Sequence, residues 1–381
     1  MKNTAVKRAK HLLLAGGGHA HIGLLRRLSD KPLKDVAINL ITEQPQTLYS
    51  GMLPGWMAGH YNLAEITIDM IELCRRAEVS LLQQPIIAVD AETQTVVTSK
   101  DETLDYQVLS LNTGADTDLH WLKSDDSEAE KTDDNHVKVV PVRPLANFVL
   151  QWQQILQEAK QADQYKLAVV GAGAAAAELV MAAQFALQQI SPKHQAYLVC
   201  GEQLLSDFAQ GFKSRVIKQL QRHNIDIIYE RAESLTNEQL LTTKQSLPVN
   251  AVIAATGVMG SAWSEHSNLA TVENGFIAVN SYQQSISHAN VFAVGDVCSR
   301  VDRDMAHSGV HAVFGGAVAA DNLLAYLAGK PLKSYQPKNR TLYLLSCGDK
   351  YAIGSWGRYS VQGRWVWALK KYIDKRFVNK K

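Results

Sequence analysis

Residues 11–28 read HLLLAGGGHAHIGLLRRL. The apolar run His11–Ala15 predicts a buried strand, the glycines after it predict a tight turn, and the apolar residues that follow at helical spacing predict a helix. Val36–Ile41 (VAINLI) is rich in β-branched residues and predicts a second strand. A strand, a helix and a strand in this order predict a βαβ unit and an α/β fold.

Gly16 and Gly18 stand at the turn where the first strand gives way to the helix. Glycine there keeps the turn tight and lets the backbone approach a pyrophosphate that rests on the helix N-terminus. His21 occupies the place of the third glycine in the usual pattern, and Glu43, at the end of the second strand, is placed to bind ribose hydroxyls. This unit predicts a dinucleotide site, with a merely structural turn as the alternative.

The same order of elements returns further along the chain. Lys166–Val170 (KLAVV) predicts a strand, Ala174–Gln189 an alanine-rich helix, and Ala196–Val199 (AYLV) the next strand. The turn is Gly171-Ala172-Gly173, and Ala176 is an accepted third member of the pattern because helix and strand pack closely there. The repeat of architecture predicts a second dinucleotide-binding unit.

The acid that binds the second ribose is harder to assign from the sequence. Cys200 stands at the end of the strand and Glu202 follows two residues later, so we assign Glu202 to this role. Residues 196–206 contain neither Arg nor Lys, which leaves no obvious partner in that segment for a 2′-phosphate. NADH is therefore favoured over NADPH.

Two dinucleotide folds in one chain are typical of a hydride relay, in which one domain holds a flavin and the other delivers a nicotinamide. Val291–Asp296 (VFAVGD) predicts a buried strand that ends in Gly295-Asp296, where a carboxylate can bind a ribityl hydroxyl of FAD. Thr113-Gly114 and Thr256-Gly257 each follow an apolar strand and are expected to close the two dinucleotide domains.

Composition excludes several other classes of protein. The chain has 381 residues, with 39 Lys and Arg against 37 Asp and Glu, and this near balance argues against nucleic acid binding. The four cysteines form neither a C-x-x-C nor a C-x4-C pair, which is typical of a cytosolic chain with free thiols. No apolar run reaches about 18 residues. The acidic residues 118–136 predict a solvated loop.

The sequence resembles the two-dinucleotide-binding flavoproteins of the pyridine nucleotide-disulfide oxidoreductase superfamily. Within it, the resemblance is to the branch without a redox disulfide that includes type II NADH:quinone dehydrogenases and sulfide:quinone reductases. Leu14–His21 (LAGGGHAH) and Tyr49–Tyr61 (YSGMLPGWMAGHY) look like the group found fused to, or encoded beside, selenophosphate synthetase. The likeness covers nearly the whole chain.

This resemblance implies a discontinuous Rossmann-like domain for FAD, a continuous one for NAD(P)H, and their site residues. Residues 1–145 and 275–335 are expected to bind FAD, residues 146–274 to bind NAD(P)H, and residues 336–381 to form a C-terminal region with an amphipathic segment. The residues implied for FAD are Gly16, Gly18, His19, Ala20, Glu43, Ser50, Gly51, Met52, Pro54, Thr113, Gly114, Gly295 and Asp296. Those implied for the nicotinamide nucleotide are Gly171, Gly173, Glu178, Glu202, Thr256 and Gly257.

The acceptor pocket departs most from the family pattern. Phe314-Gly315 stands where type II dehydrogenases carry an Ala-Gln pair, and His307 and His311 replace an expected Lys and Tyr. Imidazole titrates near neutrality, so His307 or His311 is the predicted catalytic proton donor to a reduced quinone. Neither His19-x-His21 nor His307-x3-His311 has a carboxylate or thiolate that completes a set of metal ligands, and no metal site is predicted.

The resemblance implies a FAD-dependent enzyme that passes hydride from NADH to flavin and electrons on to a quinone or similar small acceptor. Two alternatives remain open at this stage. One is flavin-dependent oxidation of a sulfur or selenium species, suggested by the selenophosphate synthetase association. The other is a redox-sensing flavoprotein that binds nucleotide and turns over slowly.

The C-terminal segment combines clustered basic residues with an apolar face. Seven basic residues and one acid lie between Arg364 and Lys381. An apolar face recurs at steps of three and four residues, as in helices that lie at a membrane interface: Trp365, Leu369, Tyr372, Ile373 and Phe377. The segment predicts docking on an anionic membrane surface, and so a cytoplasmic protein held peripherally at the inner face of the cytoplasmic membrane. Ordinary packing on the body is the alternative.

Overall fold

The computed structural model describes residues 10–122, 137–307, 309–338 and 340–380. Most of the acidic segment predicted as a solvated loop lies outside the described residues. The α-helices of the described part are α1 (His19–Asp30), α2 (Leu53–Met57), α3 (Met70–Arg76), α4 (Leu145–Gln161), α5 (Ala174–Gln188), α6 (Gln210–Arg222), α7 (Gly309–Leu327) and α8 (Arg364–Asn379).

The described strands are short and numerous. They are β1 (Lys10–Ala15), β2 (Val36–Thr42), β3 (Gln46–Leu48), β4 (Thr67–Asp69), β5 (Ser80–Gln83), β6 (Ile86–Asp90), β7 (Thr95–Thr98), β8 (Thr103–Asp105), β9 (Val108–Leu111), β10 (Asp116–Thr117), β11 (Lys138–Pro141), β12 (Lys166–Val170), β13 (Gln195–Val199), β14 (Asp226–Ile228), β15 (Ala232–Leu235), β16 (Gln239–Thr242), β17 (Ser246–Pro248), β18 (Ala251–Ala254), β19 (Val258–Met259), β20 (Ile277–Val279), β21 (Val291–Ala293), β22 (Cys298–Arg300), β23 (Leu342–Ser346), β24 (Ala352–Trp356) and β25 (Tyr359–Gly363).

The first sheet is parallel and has the strand order β21-β9-β1-β2-β5. β1 lies at its centre, and Leu12, Leu13 and Leu14 are fully buried, as expected for a strand covered on both faces. α1 and α7 pack together on one side, where a side chain at Gly316 would lie 2.6 Å from the Cα of Ala20. The predicted βαβ unit and its α/β class are confirmed.

The second sheet repeats this arrangement in the order β11-β18-β12-β13-β14, again with parallel strands. The predicted strand Lys166–Val170 has those bounds in the structure. β11 belongs to this sheet although it precedes the predicted boundary between residues 145 and 146. Because β11 pairs with β18, the second sheet includes residues from Lys138 onward.

The C-terminal region consists of the antiparallel sheet β23-β24-β25 followed by α8. α8 packs on β24 and β25 and also reaches the first unit, where Arg26 of α1 donates to the backbone carbonyls of Phe377 and Val378. One described helix, α7, is long and apolar enough to cross a membrane. It packs against α1, and we describe it as a core helix.

Candidate functional site

A cleft of about 2420 Å³ runs between the carboxyl ends of the strands of both sheets. Small-molecule pockets usually measure about 300 to 1,000 Å³, so this cleft has room for more than one ligand. Its walls come from both glycine turns, the 46–54 loop, the start of α4, α7 and the inner face of α8. Ligands of open parallel sheets bind at this edge, which makes the cleft the candidate active site.

The first glycine turn is closed by Asn112, which follows β9. Its Oδ1 accepts from the backbone nitrogens of Ala20 and His21 at 3.1 and 3.3 Å, and its Nδ2 donates to the Val294 carbonyl at 2.5 Å. A side chain at Gly18 would lie 2.3 Å from Asn112 Oδ1, so glycine is required there by protein packing as well as by any ligand. Sequence reasoning missed Asn112, although it directly precedes the predicted Thr113-Gly114 crossover.

Two buried polar atoms on the wall of the cleft fit a ligand rich in hydroxyl and phosphate groups. Nε2 of His19 and Oγ1 of Thr113 have no hydrogen-bond partner within the protein. Burial lowers the pKa of His19 to about 4, so its ring is neutral near pH 7. Because buried polar groups are normally hydrogen-bonded, these atoms point to a polar ligand at the first turn. The residues present therefore fit FAD.

The second glycine turn divides its roles between two glycines. Gly171 has a φ of +153°, and a side chain there would lie 2.2 Å from the Ala255 carbonyl oxygen. Gly173 precedes α5, lines the cleft and has open space where a side chain would stand. Gly171 thus serves close packing, whereas Gly173 leaves the helix N-terminus accessible to a phosphate group.

The structure brings most of the sequence-predicted residues to this cleft. Those that line it are Gly16, Gly18, His19, Glu43, Ser50, Gly51, Pro54, Thr113, Gly114, Gly173, Glu178, Thr256, Gly257, Asp296 and His307. Asp296 also forms an ion pair at 2.7 Å with Arg143, which lies between β11 and α4, so this carboxylate joins elements of both sheets.

The remaining predicted residues do not line the cleft, and their contact with a dinucleotide stays a prediction. Ala20 is buried behind the first turn against Gly316, and Met52 is buried in an apolar cluster with Tyr61 and Ile66. Four others are also absent from the lining of the cleft: Gly171, Gly295, Glu202 and His311. Gly171 packs on the Ala255 carbonyl as described, and Gly295 and His311 are described below.

A side pocket behind Asp296 contains Gly295 and His311. His311 Nδ1 lies 3.4 Å from the Tyr335 hydroxyl. His307 borders both the side pocket and the cleft; its ring stacks on Phe276 with centroids 4.1 Å apart, and its Nε2 lies 3.1 Å from Ser299 Oγ. Burial lowers the pKa of both histidines, which reduces their fraction of imidazolium near neutral pH.

A cluster of titratable side chains forms where α5, the 46–54 loop and α8 meet. Lys370 Nζ donates to Asp374 Oδ2 at 2.8 Å and to the Gly51 carbonyl at 2.6 Å, and the Tyr49 hydroxyl donates to Asp374 Oδ1 at 3.3 Å. Glu178 accepts from the Ser346 backbone nitrogen at 2.7 Å. All four of these side chains line the cleft. We call Tyr49, Glu178, Lys370 and Asp374 the α8 cluster.

Burial sets the charge of the α8 cluster. It raises the pKa of Glu178 to about 7, an effect that nearby Lys370 opposes and nearby Asp374 reinforces. Burial also raises the pKa of Asp374, against the opposing effect of Lys370. A carboxyl group with a pKa near the working pH can both donate and accept a proton, which suits it to proton transfer at this wall of the cleft.

The family described as pyridine nucleotide-disulphide oxidoreductase matches residues 10–315 of the chain. The chain belongs to this family. Members are oxidoreductases, and the cleft with two glycine turns is where this family's chemistry is expected in this chain.

Two relatives share much of the length of the chain. Ferroptosis suppressor protein 1 of Taeniopygia guttata is 26% identical over 313 residues, covering 79% of this chain and 77% of that protein. The protein of the same name from Xenopus tropicalis is 23% identical over 372 residues, covering 92% and 89%. These values extend the similarity into the C-terminal region.

Two solved structures share this fold over nearly the whole chain. The sulfide:quinone oxidoreductase of Aquifex aeolicus superposes with a TM-score of 0.80 at 17% identity, covering 97% of this chain and 92% of that one. NDH2 of Plasmodium falciparum, solved with NADH, gives 0.78 at 13% identity, covering 97% and 96%. At these identities the comparisons establish the fold of this family member.

The cysteines of this family member are all free. No described residue that lines the cleft is a cysteine, and the four positions after the second glycine turn are Ala174 to Ala177. Burial raises the pKa of Cys347 well above its usual value, which keeps that thiol protonated. Thiolate chemistry therefore has no group among the described residues of the cleft wall.

The outer face of α8 exposes several apolar side chains, whereas its inner face combines the buried Val366 with the polar pair Lys370 and Asp374. Lys370 and Asp374 are buried, whereas Trp365 and Tyr372 are 59% and 64% exposed. Leu369 and Ile373 are also exposed. Phe377 was predicted on the same apolar face, but this was wrong: its ring stacks on Tyr49 with centroids 4.7 Å apart.

Proposed function

We propose that this protein is a FAD-dependent NAD(P)H:quinone oxidoreductase. The observation that carries the proposal is the single cleft onto which two dinucleotide-type turns open, one from each parallel sheet. A shared cleft allows a hydride donor at the second turn to face a flavin at the first. The name of one similar structure, a sulfide:quinone oxidoreductase, supports the choice of acceptor.

The residues that would hold FAD are those at the first turn and along the cleft toward Asp296. The start of α1 offers backbone nitrogens to a pyrophosphate, His19 and Thr113 offer unpaired polar atoms, and Asp296 offers a carboxylate to ribityl hydroxyls. FAD supplies hydride acceptance and electron transfer when bound. We propose that the second domain binds NAD(P)H from just before Lys138 to residue 274, with Gly173 nearest the phosphates.

Reduction of a quinone to a quinol consumes two protons, and the α8 cluster is the best candidate source of one of them. Glu178 lines the cleft and its pKa of about 7 leaves it substantially protonated near neutral pH. His307 and His311 remain predicted proton donors, but burial lowers the pKa of each. We therefore place the proton-donating role on Glu178, with Lys370 and Asp374 as positioning residues.

We further propose that the outer face of α8 docks on an anionic membrane, where a long-chain quinone is found. Trp356 at the end of β24 and Trp365, Leu369, Tyr372 and Ile373 of α8 are exposed, and basic residues such as Lys371 and Arg376 flank them. Aromatic and aliphatic groups bury area at the headgroup boundary, and each nearby basic residue adds about 1 kcal/mol. Ile373 also lines the cleft, so the docked face adjoins its opening.

Anaerobic mixing tests the proposed reaction. Purified full-length protein is mixed first with NADH or NADPH and then with a quinone, while flavin absorbance is followed. We expect bleaching by the nucleotide and recovery of the oxidised spectrum with the quinone. Recovery only with a sulfur or selenium acceptor would favour that alternative chemistry, and a stable charge-transfer band without turnover would favour a redox sensor.

A further inference from the structure

The adenosine end of the second dinucleotide site contains a basic residue that local sequence does not reveal. In dinucleotide-binding βαβ units the adenosine ribose lies beyond the carboxyl end of the second strand, which here is β13. The next residues run beside the extension of β14, because the Gly201 nitrogen donates to the Glu230 carbonyl at 2.9 Å. Arg231 follows at once, and its Cγ lies 3.9 Å from where a Gly201 Cβ would stand.

The charged side chains around this point are the exposed Arg231, the engaged Glu230 and the exposed Glu202, which follows Gly201. Cys200 takes the place at the strand end where a carboxylate would select the ribose 2′-hydroxyl, and its thiol contacts the carbonyls of Gly201 and Ile228. The Glu230 carboxylate is held by Thr242, by the Gln245 side chain and by the Lys244 backbone nitrogen, which commits it to the β15–β16 side of the strand. Arg231 is exposed beside Gly201.

We propose that Arg231 binds the 2′-phosphate of NADPH, so that the second site accepts NADPH as well as NADH. This inference rests on the proposed function for the identity of the site. The guanidinium group matches a phosphate with two parallel hydrogen bonds. Residues 196–206 lack a basic side chain, but the parallel pairing of β13 with β14 supplies one from 30 residues further along.

Stopped-flow reduction with NADPH and with NADH, in full-length protein and its variants, measures this role. Arg231→Ala is expected to lower kcat/KM for NADPH about tenfold to a hundredfold, the range for hydrogen bonds to charged groups. The value for NADH is expected to stay within about threefold, since the 2′-hydroxyl carries no charge. Arg231→Lys is expected to recover part of the loss because the positive charge remains.

A direct binding measurement separates this inference from the proposed function. Calorimetry with NADP⁺ and NAD⁺ is expected to show weaker NADP⁺ binding in Arg231→Ala and unchanged NAD⁺ binding. Lys193→Ala is the matched control, because Lys193 lies just before β13 at the opposite edge of the sheet. An unchanged ratio of NADP⁺ to NAD⁺ affinity in Arg231→Ala overturns the inference. If binding follows the expectation but neither reduced nucleotide bleaches the flavin, the inference stands and the proposed function fails.

Discussion

The rate of quinone reduction is expected to fall as the pH rises through the pKa of Glu178. If the protonated carboxyl supplies a proton, its occupancy follows a pKa of about 7. The protonated fraction then falls from about nine-tenths at pH 6 to about one-tenth at pH 8, so the rate falls roughly tenfold over that interval. The assay is steady-state reduction of a water-soluble quinone at saturating nucleotide.

The pH at which the rate falls to half is the inflection of the pH–rate profile. Two variants of the α8 cluster are expected to move this inflection in opposite directions. Lys370 lowers the pKa of Glu178, so Lys370→Met is expected to shift the inflection to higher pH. Asp374 raises the same pKa, so Asp374→Asn is expected to shift it to lower pH. Glu178→Gln removes the titrating group, and its rate is expected to be low and flat across the interval.

The matched control is Glu65→Gln. The Glu65 carboxylate forms an ion pair at 2.8 Å with Lys375 of α8, but neither residue lines the cleft. Its inflection is expected to coincide with that of the parent protein, and flavin absorbance checks that each variant keeps its cofactor. Shifts in the same direction for Lys370→Met and Asp374→Asn, or an unshifted inflection in both, would refute the assignment to Glu178.

Three further predictions concern the cofactors and the membrane. Asp296→Ala is expected to lower FAD occupancy, measured as flavin absorbance per protein, because ribityl hydrogen bonds are lost; full occupancy would contradict the assignment. Gly173→Val is expected to block reduction by either nucleotide while sparing FAD, since its side chain enters the open cleft; equal reduction rates in variant and parent count against this role. Trp365→Gln combined with Tyr372→Gln is expected to weaken binding to anionic vesicles about tenfold or more and to slow only long-chain quinones; Leu150→Gln, on the exposed face of α4, is the control. Vesicle binding as tight as in the parent would place the membrane contact elsewhere.

Vesicle binding is tested with point substitutions because deletion of α8 would also alter the cleft. Lys370, Asp374 and Phe377 form part of the cleft wall, so removing the helix opens the proposed cofactor site. The sequence offered membrane docking and packing on the body as alternatives for this segment. The helix packs on the body through a face that contains Val366, Lys370 and Asp374, and its outer apolar side chains are exposed.

The two βαβ units were predictable because their patterns are local. Apolar strands, glycine turns and helical spacing each occupy a short stretch, and the predicted strand ends at Ala15 and Val170 agree with the structure. Asn112, Lys370 and Arg231 were not predictable in this way. Each contacts a part of the chain that is distant in sequence. Asn112 accepts from the start of α1, Lys370 donates to the Gly51 carbonyl, and Arg231 lies beside Gly201.

The periodicity of the last helix identified its outer face but assigned one residue wrongly. Phe377 fits the apolar spacing, yet it turns inward because Tyr49 and Arg26 provide an aromatic and cationic partner. Lys370 and Asp374 are buried because they pair with each other and because the Gly51 carbonyl accepts a hydrogen bond. Hydrophobic spacing alone does not report such polar partners in a distant loop.

The bonds from Arg26 to the carbonyls of Phe377 and Val378 join positions 351 and 352 residues apart. On a ribosome that adds about 5 to 20 residues per second, roughly 20 to 70 s separate the synthesis of the two partners. During that interval the emerging chain has the first glycine turn but lacks one wall of its cleft. Lasting retention of the flavin is therefore expected only after α8 has been synthesised and has packed against α1, so that a product truncated before α8 is distinguished by its lack of colour.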